Sequence, residues 1–550
     1  MPAWPIAATG RPGPGLPAPD AATRRARWLG AVLTLLLAAG PVAAFAAGLE
    51  AAVPALAALA VAAFALNALW LAAGASGALL GVVRGRPAPV RVPAPNPASG
   101  GRCAVLWLIC GEPAAPVARR IAALRHDLRR TGLAARCDIF VLSDTRAGPA
   151  RSEEAHLLRP DAAVPALHYR NRANPEGRKP GNVADWVRSH GAGYDTMLVL
   201  DADSGIGADR LARLLVAMDD EPALGLIQPG IRLRSGTSRL AAVQRLSGRL
   251  CGPAFLRGLA AWAGPAGNFW GHNALIRVRA FAGAAGMAPL PGRAPRGGPV
   301  LSHDFAEAAR LVRAGWAVRI LPETRGSFED APQGLADFHR RDRRWCQGNL
   351  QHLRLITAPG LHPASRLHLA AGIQGYLAAP LWLGLVTALA TGAVVPGAGA
   401  ALALAAVAGV LLLPKAAALA ARPARARRGR AGRVLGRALV AELGMTTLLA
   451  PLVMVRQTGA VLSVLAGRDS GWTPAGAAGL RRAAIGLPEA AVGVALTALA
   501  LSTATGPAAL MIAPVAGPLL AAPILVRWFD AAPRRRSTPR ALPDATPLPA

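Results

Sequence analysis

The chain has 550 residues, of which 53% are hydrophobic and only 17% are charged, and its formal net charge is +31. A charged fraction so far below the roughly 25% of soluble domains, together with a mean hydropathy of +0.34, excludes an ordinary soluble protein. The arginines cluster at the edges of long apolar stretches, which is typical of inside-facing membrane loops. We therefore expect a lipid bilayer as partner and no nucleic acid.

The N-terminal region combines a tail with two apolar runs. Residues 1–27 are rich in Pro, Gly and Ala and are expected to be disordered. About 20 apolar residues cross a bilayer, so we predict spans at Trp28–Ala47 and within Ala51–Val83. Two runs in tandem argue against a cleaved signal peptide. The arginines that flank the pair are Arg24, Arg25, Arg27, Arg84 and Arg86. Basic flanks face the inside, so residues 28–86 should form a transmembrane hairpin.

The pattern changes after a Pro-rich linker at 87–102. Short runs rich in Val, Ile and Leu (CAVLWLIC, CDIFVLSD, TMLVLDAD and LGLIQ) are separated by helical segments such as PVARRIAALRHDLRRTG. Buried strands that alternate with helices predict an α/β domain with a mostly parallel sheet, here at 103–363. All five cysteines lie in this domain and form no CxxC pair, which disfavours a disulfide framework or a zinc site.

Apolar character returns after Arg366. The candidate spans are Leu367–Val395 and Ala400–Ala421 within 364–433, and Ala484–Thr503 and Ala508–Val526 within 481–527, before a basic tail at 528–550. The run Val434–Gly467 is apolar but carries charges, and basic loops on both sides require an even number of crossings. Because it is too short for two crossings, we expect an interfacial or re-entrant element in 434–480. The prediction is six spans in total.

The strongest chemical motif is Asp201-Ala202-Asp203, directly after the apolar run TMLVL. Side chains two residues apart on an extended segment point the same way, and open α/β sheets bind ligands at the carboxyl ends of their strands. Carboxylate oxygens suit Mg²⁺ or Mn²⁺ beside a diphosphate. A surface turn is the alternative for this motif alone, and the apolar strand before it favours the binding site.

Two further motifs carry catalytic candidates. Asp304, in SHDF, opens the predicted helix FAEAARLVRAG. It is either a helix cap or a general base for an acceptor hydroxyl, and the two roles are compatible. The segment HRRDRRWCQGNLQH places Arg341 and Arg344 beside Trp345. Guanidinium groups hold phosphate oxygens, and a Trp face can stack on a sugar; a basic helix at the membrane surface is the alternative.

Weaker candidates stand at predicted strand ends and turns. They are Glu112 in LICGEP, Asp144 in CDIFVLSD, Lys179 in GRKPGN, and Trp270, His272 and Asn273 in GNFWGHNALIR. The first three could meet a nucleotide or a phosphate, and the last three form a polar, aromatic turn suited to gripping a sugar. A structural role is the alternative for each of them alone.

Together and in this order, the motifs resemble those of processive inverting glycosyltransferases of family 2, which have the GT-A fold and include cellulose and hyaluronan synthases. The runs FVLSDT, GRKPGNVADW, LDADS, FWGHNALIRV, LSHDFAEAA and RDRRWCQGNLQH resemble, more specifically, the glucans biosynthesis glucosyltransferase H family of osmoregulated periplasmic glucan synthesis. The resemblance covers roughly residues 100–365 and continues into the apolar C-terminal region.

The resemblance implies roles for the motif residues. Asp144 would bind uridine, Asp201 and Asp203 would hold the diphosphate and its Mg²⁺ or Mn²⁺, and Asp304 would be the catalytic base. The expected nucleotide-sugar contacts are Glu112, Asp144, Lys179, Asp201, Asp203, Arg341, Arg344 and Trp345, and the expected acceptor contacts are Trp270, His272, Asn273 and Trp345. Arg341 departs from the Gln of the wider family's QxxRW motif, and Gly111 stands where an Asn is expected.

The resemblance also implies a function. It is that of a multi-pass inner-membrane enzyme with a cytoplasmic catalytic domain, which transfers glucose from UDP-glucose with inversion to a growing β-glucan. A periplasmic glucan-processing protein would be a partner, and 434–480 would hold an interfacial helix and a gating loop as in cellulose-synthase-like enzymes. The alternatives are a different linkage or UDP-sugar, or a channel with a degenerate nucleotide domain; the retained carboxylates disfavour the channel.

Overall fold

The computed structural model describes residues 13–50, 53–84, 100–397, 399–420, 422, 428–471, 486–503 and 506–533. The expectations for the start of the N-terminal tail, most of the linker, the centre of the basic loop after Ala421, the gating-loop segment after Gly471 and the end of the C-terminal tail concern residues outside this description. Everything below refers to the described residues.

The described chain is an α/β domain with apolar helices before and after it. The helices are α1 (Ala21–Ala47), α2 (Pro54–Val83), α3 (Ala114–Arg130), α4 (Pro149–Leu157), α5 (Arg178–His190), α6 (Ala208–Asp220), α7 (Arg239–Leu250), α8 (Gly252–Ala263), α9 (Val278–Ala284), α10 (His303–Arg313), α11 (Leu335–Gln351), α12 (Pro363–Ala390), α13 (Ala400–Ala420), α14 (Gly429–Leu465), α15 (Leu487–Thr503), α16 (Gly506–Leu520) and α17 (Ala522–Asp530). The strands are β1 (Leu49–Glu50), β2 (Cys103–Ile109), β3 (Cys137–Ser143), β4 (Leu167–Asn171), β5 (Thr196–Asp201), β6 (Ser204–Ile206), β7 (Leu224–Pro229), β8 (Arg232–Arg234), β9 (Ala274–Arg277), β10 (Ala317–Leu321), β11 (Ser327–Asp330) and β12 (Val395–Pro396).

A seven-stranded sheet with the order β10-β7-β9-β5-β2-β3-β4 forms the centre of the domain. All neighbours are parallel except β9, which runs antiparallel to β5 and β7. Along β2, Val105 and Trp107 belong to a cluster with α3 and α6, whereas Leu106 belongs to a cluster with α5 and α10. Burial on both faces is why these strands are continuously apolar. The predicted α/β domain with a mostly parallel sheet is confirmed.

A small second sheet of β6, β11 and β8 adjoins the carboxyl end of β5. Strand β11 is antiparallel to β6, with Glu329 opposite Ser204, and it is parallel to β8. The Asp330 amide also donates to the carbonyl of Asp203 at 3.1 Å. This pairing places Glu329, from a late part of the domain, beside the turn that follows β5.

The N-terminal helices are docked directly on the α/β domain. A Cβ atom on Gly81 of α2 would lie 1.7 Å from the Ala254 carbonyl oxygen, so only glycine permits this approach to α8. Arg27 donates to the carbonyls at the end of α8, at 3.0 Å from Nε to Trp262 and from Nη2 to Ala263. The structure corrects the expected disorder of the tail at residues 21–27, which form the first turns of α1. Asp20 caps that helix through the amide of Thr23, at 2.7 Å.

Five helices, α1, α2, α12, α13 and α14, are long and apolar enough to cross a membrane, and the count is six if the bent pair α16 and α17 is one span. Large apolar side chains such as Leu36 and Leu510, 67% and 78% exposed, suit contact with lipid tails. The set differs from the six predicted spans. Helix α15 has 17 residues, fewer than the about 20 that a crossing needs, and α16 contains Pro514 and Pro518 and bends by 57° into α17.

The predicted interfacial or re-entrant element is a continuous 37-residue helix, α14. Its Glu442 accepts a hydrogen bond from Ser247 of α7 at 2.8 Å, and its Ser463 accepts one from Arg343 of α11 at 3.3 Å. At 1.5 Å per residue these two positions are about 30 Å apart. The helix is therefore not a re-entrant loop, and it contacts the α/β domain at two well separated positions, one about a third of the way along it and one near its C-terminal end.

Candidate active site

The polar residues that the motifs supplied meet at the carboxyl ends of β2 and β5 and at the small second sheet. Asp201 is the last residue of β5, and Asp203 lies in the turn before β6. Arg120 of α3 holds this turn, since its Nη1 donates to the Ala202 carbonyl at 2.7 Å and its other amino group pairs with Asp330. The two carboxylates of the DxD motif are thus fixed at the edge of the sheet where a ligand would bind.

Asp201 is paired with Lys179 from the first turn of α5. Burial alone would raise the pKa of Asp201, but Lys179 and His272 outweigh it, so the pKa is lowered. The carboxylate is therefore ionised near neutral pH. The segment GRKPGN, expected from the sequence to form a turn, instead begins helix α5 and contributes a cation directly to the DxD motif.

Asp203 has the opposite surroundings. Burial raises its pKa to about 6, and the carboxylate of Glu329 adds to the shift, while Arg341 opposes it. Arg341 donates to Asp203 at 3.5 Å and to Glu329 at 2.7 Å. One guanidinium therefore serves two neighbouring carboxylates, and negative charge remains in excess at this point.

Asp304 lies in the first turn of α10, against the turn at Gly271. Gly271 has a φ of +89°, and a Cβ atom added to it would lie 3.4 Å from Oδ2 of Asp304. Burial raises the pKa of Asp304; His303 and Lys179 oppose this shift. The His303 ring nitrogen Nδ1 lies 3.0 Å from Oε1 of Glu307. A carboxylate with a raised pKa is a better proton acceptor than an ordinary Asp.

Arg344 and Glu112 complete the basic and acidic lining near β5. Burial lowers the pKa of Arg344, and the positive charge of Arg341 lowers it further, whereas Asp201 and Glu112 act to raise it. Glu112 accepts a hydrogen bond from the Cys110 amide, and burial raises its pKa. The preceding Gly111 has a φ of +84°, a conformation that Gly and Asn adopt most readily, which explains why Gly can replace the Asn expected there.

Asp144 lies at the end of β3 with its carboxylate fully engaged. Arg172 donates to both oxygens, at 2.8 and 2.7 Å, and Asn182 donates at 2.9 Å. The Asp144 and Arg172 side chains are each 8% exposed. The structure places Asp144 beside the predicted site, but it gives this carboxylate a buried ion pair of its own.

The polar turn 268–273 contributes unequally to the site. His272 faces the carboxylates, with Nε2 3.7 Å from Glu329 and Nδ1 3.0 Å from the Ser204 hydroxyl. Trp270 is partly buried, and its amide donates to Gln228 at 3.0 Å. Asn273 is fully buried, has a φ of +58°, and donates to the Gly205 carbonyl at 3.0 Å. Its side chain joins the turn to the small sheet and does not face the site.

A groove of about 350 Å³ opens from Arg341 and Glu329 toward α14. Phe338 and Trp345 of α11 line it, and Thr446 of α14 closes the other side. Trp345 is 44% exposed, and the Arg341 guanidinium carbon lies 5.2 Å from the centre of its ring. An aromatic groove next to the carboxylates fits the carbohydrate contacts expected of Trp345.

The sequence motifs missed several residues that the structure brings to the site. Glu329 and Arg120 belong to segments without a recognised motif, and Glu307 lies in LSHDFAEAA, a motif that pointed only to Asp304. Gln347 of α11 accepts from the Ser470 amide and donates to Asp469, both at 2.7 Å. The segment after α14 thus reaches the helix that carries Arg341, Arg344 and Trp345.

A divalent cation fits the carboxylates at this edge. Asp201, Asp203 and Glu329 offer the hard oxygen ligands that Mg²⁺ and Mn²⁺ prefer, and Asp203 and Glu329 share the single guanidinium of Arg341. Among the described residues, no group of three or more His, Cys, Asp or Glu side chains is arranged to hold a metal by itself. The remaining ligands would then come from a bound diphosphate or water.

Comparison with known proteins identifies relatives of the chain. Residues 196–417 match the family described as Glycosyl transferase family group 2. The chain is 42% identical over 413 residues to the glucans biosynthesis glucosyltransferase H of Bradyrhizobium diazoefficiens, covering 70% of this chain and 55% of the relative. It is 39% identical over 444 residues to the protein of the same name from Xanthomonas campestris pv. campestris, covering 74% of this chain and 68% of the relative.

The relative of the same name from Rhodopseudomonas palustris is 42% identical over 403 residues, which cover 68% of this chain and 56% of the relative. This chain therefore spans little more than half the length of the first relatives. Among solved structures, the mannosyltransferase PcManGT from Pyrobaculum calidifontis, in complex with GDP-Man and Mn²⁺, is 18% identical with a TM-score of 0.40, covering 70% of this chain and 98% of that chain.

Proposed function

The chain belongs to the glucans biosynthesis glucosyltransferase H family, and from that premise we propose that it transfers glucose from UDP-glucose, with inversion, to the growing β-glucan of osmoregulated periplasmic glucans. The observation that carries the proposal is the convergence of Asp201, Asp203, Lys179 and Arg341 at one edge of the sheet, with Asp304 facing the adjoining turn. The four converging residues can bind the phosphates of the donor, directly or through a metal ion. Asp304 can accept the proton of the acceptor hydroxyl.

The diphosphate of the donor would be held between carboxylates and cations. Asp201 and Asp203, with Glu329 beside them, would hold Mg²⁺ or Mn²⁺, which supplies positive charge to the diphosphate when bound. Lys179 and Arg344 stand on the same side as Asp201 and can donate to phosphate oxygens. Arg341 already bridges two carboxylates, so it is positioned to stabilise the negative charge that develops as UDP departs.

Asp304 would take the proton of the acceptor hydroxyl. Its raised pKa, caused by burial, brings it closer to the pH at which the chain must work, which favours general-base catalysis. The hydroxyl then attacks the anomeric carbon on the face opposite the departing UDP, so the configuration inverts and a β-linkage forms. The proton ends on Asp304, and the bond from the anomeric carbon to the phosphate oxygen breaks.

The acceptor glucan would lie in the groove between α11 and α14. Trp345 and Phe338 give aromatic faces for sugar rings, and the groove begins at Arg341, beside the donor phosphates. Trp270 and His272 would contact the sugar from the turn before β9. Asn273 would support this turn from behind, since its amide is committed to the small sheet.

We also propose that α14 lies along the inner face of the membrane and not across it. Its two contacts with the α/β domain, at Glu442 and Ser463, are about one bilayer thickness apart, and a helix across the bilayer would put them on opposite sides. The catalytic domain would be cytoplasmic and the membrane the bacterial inner membrane, with a periplasmic protein receiving the glucan.

Labelling of single cysteines tests the position of α14. In a Cys110→Ser/Cys251→Ser background, in which the remaining native cysteines are buried, Arg437→Cys places an exposed thiol before Glu442 and Arg468→Cys places one beyond Ser463. Both should react with an impermeant maleimide applied to inside-out vesicles, and neither should react in right-side-out vesicles. Reaction of the two positions from opposite sides would show that α14 spans the membrane.

The enzymatic proposal is tested with the full chain in liposomes, supplied with UDP-glucose and Mg²⁺, by measuring UDP release and polymer formation. Release of UDP with a β-glucan product supports the proposal, and linkage analysis identifies the product. Release from a different UDP-sugar alone would keep the family chemistry and discard the glucan. Absence of release from every UDP-sugar would contradict the enzymatic assignment.

A further inference from the structure

A second charged cavity lies outside the candidate active site, at the start of α6. It has a volume of about 200 Å³ and is bounded by α3, by the first turns of α6 and by the turn before β11. The paired strands β6 and β11 separate this cavity from the carboxylates of the candidate active site. At the end of the pair near the cavity Ile206 lies opposite Ser327, and at the end near the active site Ser204 lies opposite Glu329. All of its lining residues belong to the α/β domain.

The lining of this cavity is predominantly basic. Four arginines contribute to it, namely Arg130, Arg210, Arg213 and Arg325, against the two carboxylates of Asp127 and Asp209. Asp127 is itself 3.7 Å from Arg130. The side chains of Arg213 and Arg325 are exposed at the mouth. Positive charge therefore remains in excess, and its distribution around a concave surface favours an anion.

The backbone adds to this preference. Helix α6 has 13 residues, its N-cap Gly207 is extended, and no side chain caps its first turn. The Gly207 amide donates to the Gly326 carbonyl at 2.8 Å, so the helix start is held against the turn before β11. The first amides of a helix point along its axis and carry partial positive charge, which makes an uncapped start a favourable place for an anion.

Arg210 provides the independent observation. It is only 3% exposed, and its Nε donates to the Arg325 carbonyl at 2.7 Å. Its Nη1 is buried and has no hydrogen-bond acceptor among the described residues. Burial lowers the pKa of Arg210 to about 10, and Arg213 and Arg325 lower it further, while the Glu323 carboxylate, whose Oε2 is also buried without a hydrogen-bond partner in the described part of the chain, acts to raise it. A buried charged donor without an acceptor is costly, and the negative charge of an anion in the cavity would reduce that cost.

We propose that this cavity binds the phosphate group of a soluble ligand, with Arg210 as the buried anchor and Arg213 and Arg325 closing over it. Planar guanidinium groups bind phosphate oxygens in pairs, and the start of α6 supplies backbone donors for the remaining oxygen. A lipid phosphate is disfavoured because no apolar helix contributes to the lining. The proposal does not depend on the chemistry assigned to the carboxylate site.

Calorimetric titration of inorganic phosphate into the full chain tests this site. The chain is held in nanodiscs of neutral lipid at low ionic strength, where charge interactions are least screened. We expect saturable binding that Arg213→Ala/Arg325→Ala weakens at least about tenfold, since each charge-assisted hydrogen bond contributes about one order of magnitude or more. Both residues are exposed, so folding should be unaffected. The matched control is Arg119→Ala, an exposed arginine of α3 outside the cavity.

A second control separates this cavity from the candidate active site. Arg344→Ala should leave phosphate binding at the cavity unchanged. Loss of all binding in Arg344→Ala, with full binding in Arg213→Ala/Arg325→Ala, would place the phosphate at the carboxylate site and overturn the proposal. Equal phosphate affinity of the parent chain and the double variant would also overturn the proposal. Binding of acetate as tight as that of phosphate would overturn it too, because the cavity would then not be selective for phosphate.

Discussion

Asp144 and Asp203 both follow a strand of the central sheet, yet their surroundings differ. Asp144 accepts three hydrogen bonds, two from Arg172 and one from Asn182, and is buried with its partner. Asp203 shares one guanidinium with Glu329, and its pKa is raised to about 6. A carboxylate whose charge is balanced inside the protein maintains structure. One whose charge is left in excess is available for a ligand.

The comparison separates two roles that a sequence motif cannot distinguish. Asp304, whose pKa is also raised by burial, belongs with Asp203. Substitutions in this group should change catalysis or binding with little change in stability. Substitutions at Asp144 should first change stability, because they remove the carboxylate that binds the buried Arg172 guanidinium through two hydrogen bonds.

The largest effect is expected at Asp304. Asp304→Asn removes the proton acceptor but keeps the size of the side chain, so glucosyl transfer should fall by about 10²–10⁴-fold while UDP affinity stays unchanged. Transfer is measured as UDP release, and affinity by titration of UDP. A parallel loss of UDP binding would mean that Asp304 supports the fold of the site. Asp304 would then belong with the structural carboxylate Asp144 and not with Asp203.

The next effect is expected on stability. Asp144→Ala should lower the free energy of unfolding by about 3 kcal/mol, because the buried Arg172 guanidinium loses the carboxylate that accepts two of its hydrogen bonds and keeps only Asp185, 3.6 Å away, as an acidic partner. Thermal unfolding of the chain in nanodiscs measures the loss. Removing both partners, in Asp144→Ala/Arg172→Ala, should recover part of it. A stability change under about 1 kcal/mol, together with lost UDP binding, would instead assign Asp144 to the ligand.

A smaller effect is expected from pH. The pKa of Asp203 is about 6, and the carboxylate is ionised above this value, so donor binding should rise as pH increases through about 6. At pH 5 only about one tenth of Asp203 is ionised, and donor affinity should be reduced about tenfold from its value at pH 8.

Glu329→Gln sharpens this test. It removes the negative charge that helps to raise the pKa of Asp203, so the acid limb of the binding curve should move to lower pH. Measurement of UDP-glucose affinity from pH 5 to 8 in the presence of Mg²⁺ decides the point. An unchanged acid limb would show that Asp203 is not the titrating group.

The smallest effect is expected at Arg343, one residue from Arg344 and exposed. Its hydrogen bond to Ser463 is 3.3 Å long, and exposed contacts of this kind contribute about 0.5 kcal/mol or less. Arg343→Ala should therefore keep transfer within about twofold of the parent chain. Arg344→Ala should lower it about tenfold or more, because Arg344 lies near Asp201 and Glu112. Equal losses of transfer in Arg343→Ala and Arg344→Ala would contradict the assignment of only Arg344 to the donor site.

Much of the fold followed from local pattern. The continuously apolar runs predicted the buried strands β2, β3, β5 and β7, and the mostly parallel sheet is confirmed. The resemblance to the glucans biosynthesis glucosyltransferase H family is confirmed by the relatives. The roles of the individual site residues stay predictions. The C-terminal helices were predicted less well, because charge counts do not show that the chain bends between α16 and α17 or that α14 is one continuous helix.

By itself, the sequence determined which segments could be strands and which could lie in a membrane, because the burial of apolar side chains leaves a periodic and length-dependent pattern. It also placed Asp201 and Asp203 at the end of a strand. Only the tertiary structure decided which charges are balanced. It brought Glu329 to Asp203, Arg172 to Asp144, and Arg325 to Arg210. These pairs are distant in the sequence, and electrostatic energy depends on separation in space and on burial, neither of which a local pattern contains.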